Sequence, residues 1–578
     1  MQLPILNELN TSREMIEVFK GYNHNLRISD GEFYDMKNLT SSYYPVLSPR
    51  GVRGTYATPL KPGGLIAKDT LCYVDGSEFV VGDERVEMGL SDSPKTLVSM
   101  GAYVIIMPDK MYINVQDLDD FGKIEASVSS TEEVSFLLCS LEGEDYDIPA
   151  VAPTPPDDPL NMEMWIDTSS TPHRLKQYSE QSAIWTTVAT TYVKIHSKGI
   201  GEQFEVYDSV DISGIEIEQV SNLNGNMIVW GKGNDYIIVV GIIDESKTQK
   251  QPITISRSMP AMDFIIESEN RLWGCRYGTN NKGDIVNEIY ASKLGDFKNW
   301  TCYMGLSTDS YAVTVGTDGA FTGAITHRGY PLFFKEHCMH KIYGNYPANY
   351  QINTTTCRGV QKGSHKSLAI VNEDLYYKSR KAICVYDGSL PQEISYNLGD
   401  VAYTDAVAGS LGNKYYISMH DSDTDTWNLF VYDAKTGLWH KEDNAHAEEF
   451  CSCRGELYFI ENGTGEIKTV GGSGTPDDKP VQWMAETGII GTDSPDKKTI
   501  SRINVRMSLA EDSLATIYIQ YDSSGEWEYV LSAQGSKLRT KSIPIKPKRC
   551  DHLRLRIEGR GDCKIYSIAK SIMQGSDT

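Results

Sequence analysis

Leu71-Cys72-Tyr73-Val74, then Asp75-Gly76, then Phe79-Val80-Val81, within the segment from Leu65 to Gly82, is the stretch that decides the architecture. An apolar run, a turn in which Gly accepts positive φ, and a second β-branched and aromatic run make a hairpin. The unit returns at Leu97 to Asn114, from Leu223 with Met227-Ile228-Val229-Trp230, and from Phe264 with Arg271-Leu272-Trp273. It returns again from Ala324 with Tyr330-Pro331-Leu332-Phe333-Phe334, from Leu368 with Asp374-Leu375-Tyr376-Tyr377, and from Val407 with Lys414-Tyr415-Tyr416-Ile417. Glu456-Leu457-Tyr458-Phe459-Ile460, followed by Asn462-Gly463, ends the series. A short antiparallel sheet has two faces and needs neighbours against both, so such units stack radially. The expectation is an all-β fold with a β-propeller of about seven blades.

Working outward, the chain divides into an extended segment over 1–60 that docks on neighbours or on the propeller, and first blades over 61–116. An inserted small β-rich domain follows over 117–219, then the remaining blades over 220–472, then a C-terminal β-sandwich over 476–578. The insert is marked by a loss of rhythm, an acidic run at Glu142 to Asp147, and Pro153, Pro155, Pro156 and Pro159, which favour extended chain. Its strands are short and aromatic: Met164-Trp165-Ile166-Asp167, Leu175-Lys176-Gln177-Tyr178, Ile184-Trp185 and Tyr192-Val193-Lys194-Ile195. Gly471-Gly472-Ser473-Gly474 reads as a hinge. Beyond it Ile503, Val505 and Met507 alternate with polar residues, as do Ala515, Ile517, Ile519 and Tyr521, and Leu553, Leu555 and Ile557; one face is buried and the other wet. Thr11 to Lys20 suits either a short capped helix or a strand.

Composition excludes several classes. The longest clean apolar run, Tyr236 to Ile243, is far short of the roughly 20 residues that span a bilayer, and the N-terminus lacks the layout of a secretion signal. Eleven scattered cysteines argue against a disulfide framework and for assembly in a reducing cytoplasm. The net charge of -23 opposes tight binding to nucleic acid. From Pro476 onward, 16 Lys and Arg stand against 14 Asp and Glu, so the acidity belongs to the front of the chain.

No motif with chemistry survives inspection of its spacing. In His337-Cys338-Met339-His340 a strand puts only Cys338 and His340 on one face, two ligands where a closed zinc site needs four. Cys451 and Cys453 face the same way and suit a buried apolar role. Asp421-Ser422-Asp423-Thr424-Asp425 begins like a calcium loop, but Thr426 stands where Gly is needed and Tyr432 where Glu is needed, so a hairpin tip accounts for it. Asp522-Ser523-Ser524-Gly525-Glu526-Trp527 has an Asp-to-Gly spacing one residue too long for the aspartate box of sialidase-like propellers. Arg560-Gly561-Asp562 reads as a tight turn. No carboxylate pair, nucleophile elbow or phosphate loop is singled out. The expectation is a non-enzymatic protein with no catalytic, cofactor-binding or metal residues and no cofactor.

Three segments carry a resemblance. They are Phe19-Lys20-Gly21-Tyr22-Asn23 with Arg27 to Phe33, Met36 to Leu39 and Tyr44 to Arg50; Trp165-Ile166-Asp167-Thr168; and Pro544 to His552 with Gly559 and Lys564 to Ile568. Together they resemble bacteriophage tail nozzle and head-to-tail stabilisation (connector) β-propeller proteins. That resemblance implies a virion structural protein, made in the host bacterial cytoplasm, forming a homo-oligomeric ring, typically a hexamer, that lines or extends the DNA exit channel during genome ejection. Its implied partners are its own copies and other tail, adaptor or portal proteins. The alternative is a tail-associated receptor- or carbohydrate-binding protein, suggested by 34 Tyr and 9 Trp.

Overall fold

In the computed structural model, residues 11–147, 150–280, 283–491, 499–536 and 541–573 are described. They form an all-β β-propeller with an inserted β domain and a β-sandwich. Seven sheets follow the hairpin rhythm. The first comprises Pro62–Ala67, Leu71–Asp75, Glu78–Val81 and Glu84–Glu87; the second begins at Thr96–Met100 and ends at Asp117–Lys123. The third begins at Phe264–Ser268, the fourth at Gly323–His327, the fifth at Ala369–Val371 and the sixth at Tyr403–Leu411. The seventh takes Ala447–Cys453, Glu456–Glu461 and Ile467–Thr469 from late in the chain and Gly54–Ala57 from its start. Contacts divide the chain into two units: Met1–Leu97 with Phe321–Lys341 and Thr354–Thr578, and Val98–Ala320 with Ile342–Asn353.

Within the first unit, the N-terminal segment, expected to dock on neighbours or on the propeller, instead has its first strands built into the sheets of the sandwich. Thr11–Ile16 is a strand and pairs with Cys563–Met573, which also pairs with Thr499–Leu509. Glu32–Lys37 pairs with Gln482–Thr487, in the sheet that contains Leu553–Arg560 and Leu514–Tyr521. The two sheets bury Phe33, Trp483, Val505, Ile517, Leu555 and Ile565 between them, so the alternation read in the tail does mark a buried face.

The inserted domain lies in the second unit and runs from Ala126–Ser129 to its partner Thr254–Arg257, later than 117–219. Asp117–Lys123 is the outer strand of the second blade. Its sequence, Asp-Leu-Asp-Asp-Phe-Gly-Lys, has no buried residue, which is why it carries little strand signal. Gly225–Ile228, counted in the sequence as part of a blade, pairs with Ser209–Ser213 inside the insert. A core of Phe136, Ile195, Phe204, Val210, Ile237 and Val239 serves that domain alone.

An ionic clasp ties the chain's start to the sixth and seventh blades. Arg53 reaches Asp443 at 2.6 Å and Glu442 at 2.8 Å, and Arg50 reaches Asp478 at 2.6 Å and the Asn38 side chain at 2.9 Å. Burial alone would raise the Asp443 carboxyl, but the charges of Arg53 and Arg50 hold it below the usual carboxylate range. A carboxyl depressed in the folded state contributes stability above its unfolded value and loses it as pH falls through the folded value. Arg53→Ala leaves buried Glu442 with only its longer 3.6 Å contact to Arg50 and is expected to lower unfolding stability by up to about 3–5 kcal/mol at pH 7, read from the urea midpoint. The difference between wild type and variant should shrink below about pH 4.

Candidate functional site

The small sheet at the edge of the insert is built from Ala150–Ala152, Met164–Asp167, Arg174–Ser179 and Ile184–Thr187. Side chains alternate across a strand, and here the alternation sorts the residues sharply. Ile166 and Leu175, paired with each other, are buried in the insert core, and Met164 packs against it. The opposite face carries Trp165, Asp167, Lys176, Tyr178 and Trp185. Half-buried antiparallel sheets ordinarily turn polar side chains outward; this one stacks an aromatic row there, with Trp165 buried and Tyr178 and Trp185 half-buried above it.

The row is fixed by pairing. Tyr178 lies opposite Trp185, with ring centroids 5.3 Å apart, and Trp185 meets Trp165 edge-on at 5.5 Å and 71°. Trp165 is held from behind, its indole N–H donating to the Ala152 carbonyl at 2.9 Å. Lys176 lies 5.0 Å over the Trp165 ring and 2.7 Å from Asp167. The bond from Lys176, with those from Ser169, holds the Asp167 carboxyl well below the usual carboxylate range. Asp167 is therefore a permanent acceptor beside the rings, and Lys176 and the exposed Arg174 supply donors. Tyr178 and Trp185 remain partly open to solvent.

The motifs weighed in the sequence fall elsewhere. His337 is exposed on a turn, whereas His340 is buried beside Cys338, with Nε2 3.7 Å from its Sγ and Nδ1 2.9 Å from Thr354 Oγ1. Burial pushes the His340 imidazole down to about 4, so it is neutral in the blade. Among the described residues no group of three or more His, Cys, Asp or Glu is placed to hold a metal ion. Cys453 is buried in a blade core and Cys451 is packed against it. Asp421 spends both oxygens on its own hairpin, accepting from the Asp423 and Thr424 N–H groups and the Thr424 hydroxyl. Asp522 accepts from the N–H groups of Asp551 and His552. Gly561, at φ +78°, turns the chain between two sandwich strands.

No protein-family model matches the chain, and no curated protein matches it. Among solved structures it is similar to an exo-β-1,3-galactanase from Phanerochaete chrysosporium, at 8% identity over 53% of this chain and 94% of that one, with a TM-score of 0.22. It is similar to a glycoside hydrolase family 43 arabinoxylan arabinofuranohydrolase from Bacillus subtilis, at 10% identity over the same 53% and 94%, TM-score 0.18. The apo AztD protein of Citrobacter koseri aligns over 86% of this chain and 99% of its own, at 7% identity and TM-score 0.26. These findings correct two expectations, the non-enzymatic phage structural protein and the absence of enzymatic character, because glycoside hydrolases stand among the neighbours where virion proteins were expected. At such identities the likeness is one of fold. Among the described residues no helix is long and apolar enough to cross a membrane.

The aromatic face was only half visible in the sequence, which showed the strands but not their register. Two turns, 168–173 and 180–183, set that register, and slipping either by one residue would send the aromatics to the other face. The face assignment predicts a contrast in urea unfolding. Ile166→Ala should cost about 2–5 kcal/mol, whereas Trp185→Ala should stay within about 1 kcal/mol of wild type.

Proposed function

We propose that the protein is carbohydrate-active and recognises saccharide on the aromatic face of the inserted domain. The observation that carries this reading is the partly open pair Tyr178 and Trp185, backed by the buried Trp165 and flanked by a fixed carboxylate and two cationic donors. A pyranose ring has an apolar C–H face and an equator of hydroxyl groups. The electron-rich face of an indole or phenol ring receives the first, and Asp167, Lys176 and Arg174 can exchange hydrogen bonds with the second. An aromatic pair left partly open to solvent with polar groups at its margin is the arrangement expected of a recognition surface.

A glycan array with the purified full chain tests the reading, followed by titration of the ligands found and by assay of new reducing ends to read turnover. Loss of the Tyr178 and Trp185 rings removes about 1–3 kcal/mol, so the Tyr178→Ala/Trp185→Ala variant should bind roughly 5- to 150-fold more weakly. Saccharide binding undiminished in that variant, or no saccharide bound at all, would sink the proposal.

A further inference from the structure

A cavity of about 360 Å³ lies between the fifth and sixth blades of the first unit, within the size range of small-ligand sites. Its apolar lining includes the buried Ala382, Ile383, Leu398, Met419 and Tyr403, with the more open Val401 and Ala402. Lys378, Arg380 and Lys381 also line it, at the end of the strand Asp374–Lys378 and in the tight turn that follows. Lys378 is 4% exposed. Lysine is almost never buried to that degree without a charged partner, yet the Lys378 ammonium donates only to neutral oxygens, the Gln361 side chain at 3.0 Å and the Ser379 carbonyl at 2.6 Å. Desolvation accordingly holds it down to about 8. Among the described residues none of the three cations is in an ion pair, although Asp400 and Asp423 line the same cavity. Arg380 and Lys381 are exposed at the margin and Asp400 and Asp423 share it, so the departure is Lys378, a buried cation with only neutral acceptors beside an apolar hollow.

We propose that this cavity binds a small organic anion, a carboxylate or phosphate monoester carrying an apolar body. The body occupies the hollow over Ile383, Leu398 and Met419, and the anionic group supplies the charged partner that buried Lys378 lacks, with the exposed Arg380 and Lys381 adding donors at the margin. Charge-assisted bonds of this kind are about twice as strong as neutral ones. The site is separate from the aromatic face of the insert and does not depend on it.

Isothermal titration of the full chain with benzoate, phenyl phosphate, benzyl alcohol and inorganic phosphate tests the proposal. Saturable binding is expected for at least one of the two aromatic anions, roughly tenfold or more tighter than for benzyl alcohol or inorganic phosphate. A preference for phenyl phosphate over benzoate marks a phosphate monoester, and the reverse marks a carboxylate. Arg380→Ala/Lys381→Ala changes only exposed side chains, so it keeps the fold and should weaken binding by about fivefold or more; Lys378→Met should abolish it. Benzyl alcohol binding as well as the anions, full affinity in the double variant, or no saturable binding up to about 10 mM would each overturn it.

Discussion

The pairing of Gly54–Ala57 with Ile467–Thr469 is the constraint on which the first unit rests. Gly54 and Thr469 stand 415 residues apart in sequence, and the Thr469 hydroxyl accepts the Gly54 N–H at 3.2 Å. A side chain at residue 54 is excluded, because a Cβ there would lie 2.4 Å from the Ser473 carbonyl oxygen. The closing strand binds two ends of the chain into one sheet and so removes the open edge that a row of hairpins would otherwise present. Arg50 and Arg53, immediately before it, are then delivered to Glu442, Asp443 and Asp478. The strands before them, through Val46–Pro49, are held in the two sheets of the sandwich. Pairing of such sequence separation forms slowly, since loop closure precedes the reward, and it makes the N-terminal segment part of two structures at once.

Much of this was legible in the residues and some was not, for reasons that differ from place to place. The blades were legible because each inner hairpin is an apolar run about a turn, as in Leu71–Asp75 and Glu78–Val81, and burial enforces that pattern. The outer strands were not: Glu84–Glu87 and Asp117–Lys123 contain no buried residue, so nothing in their composition separates them from loop. The partner of an N-terminal strand such as Thr11–Ile16 was hidden because pairing across most of the chain leaves no local trace. In the candidate site the aromatic residues were visible, but their convergence on one face depends on register, and register is written in turn geometry.

Positive charge is scarce on this chain, and its placement divides by the company each cation keeps. Arg53 is satisfied by two carboxylates, and Arg257 is paired with Asp208 within the second unit. Arg271 is buried without a carboxylate but is surrounded by backbone, donating to the carbonyls of Ser292, Asp309 and Ser307. A guanidinium tolerates such a carbonyl cage because its charge is spread over a planar fork and weakly hydrated. An ammonium is a compact, strongly hydrated charge, so Lys378 with two neutral acceptors is the less satisfied of the two.

The inserted domain shows why recognition falls on an insertion rather than on a blade. A blade sheet is buried on both faces by its neighbours, and what remains for function is its edges and turns. The insert brings its own core, built on Phe136, Ile195, Val210 and Ile237, and lays one face of the small sheet on it through Ile166 and Leu175. That leaves Tyr178 and Trp185 on the opposite face partly open, above the buried Trp165. Trp165 is locked by its bond to Ala152, and the register of Tyr178 against Trp185 is imposed by the strands beneath. The aromatic surface is therefore pre-ordered, so little side-chain entropy is lost when a ligand settles on it.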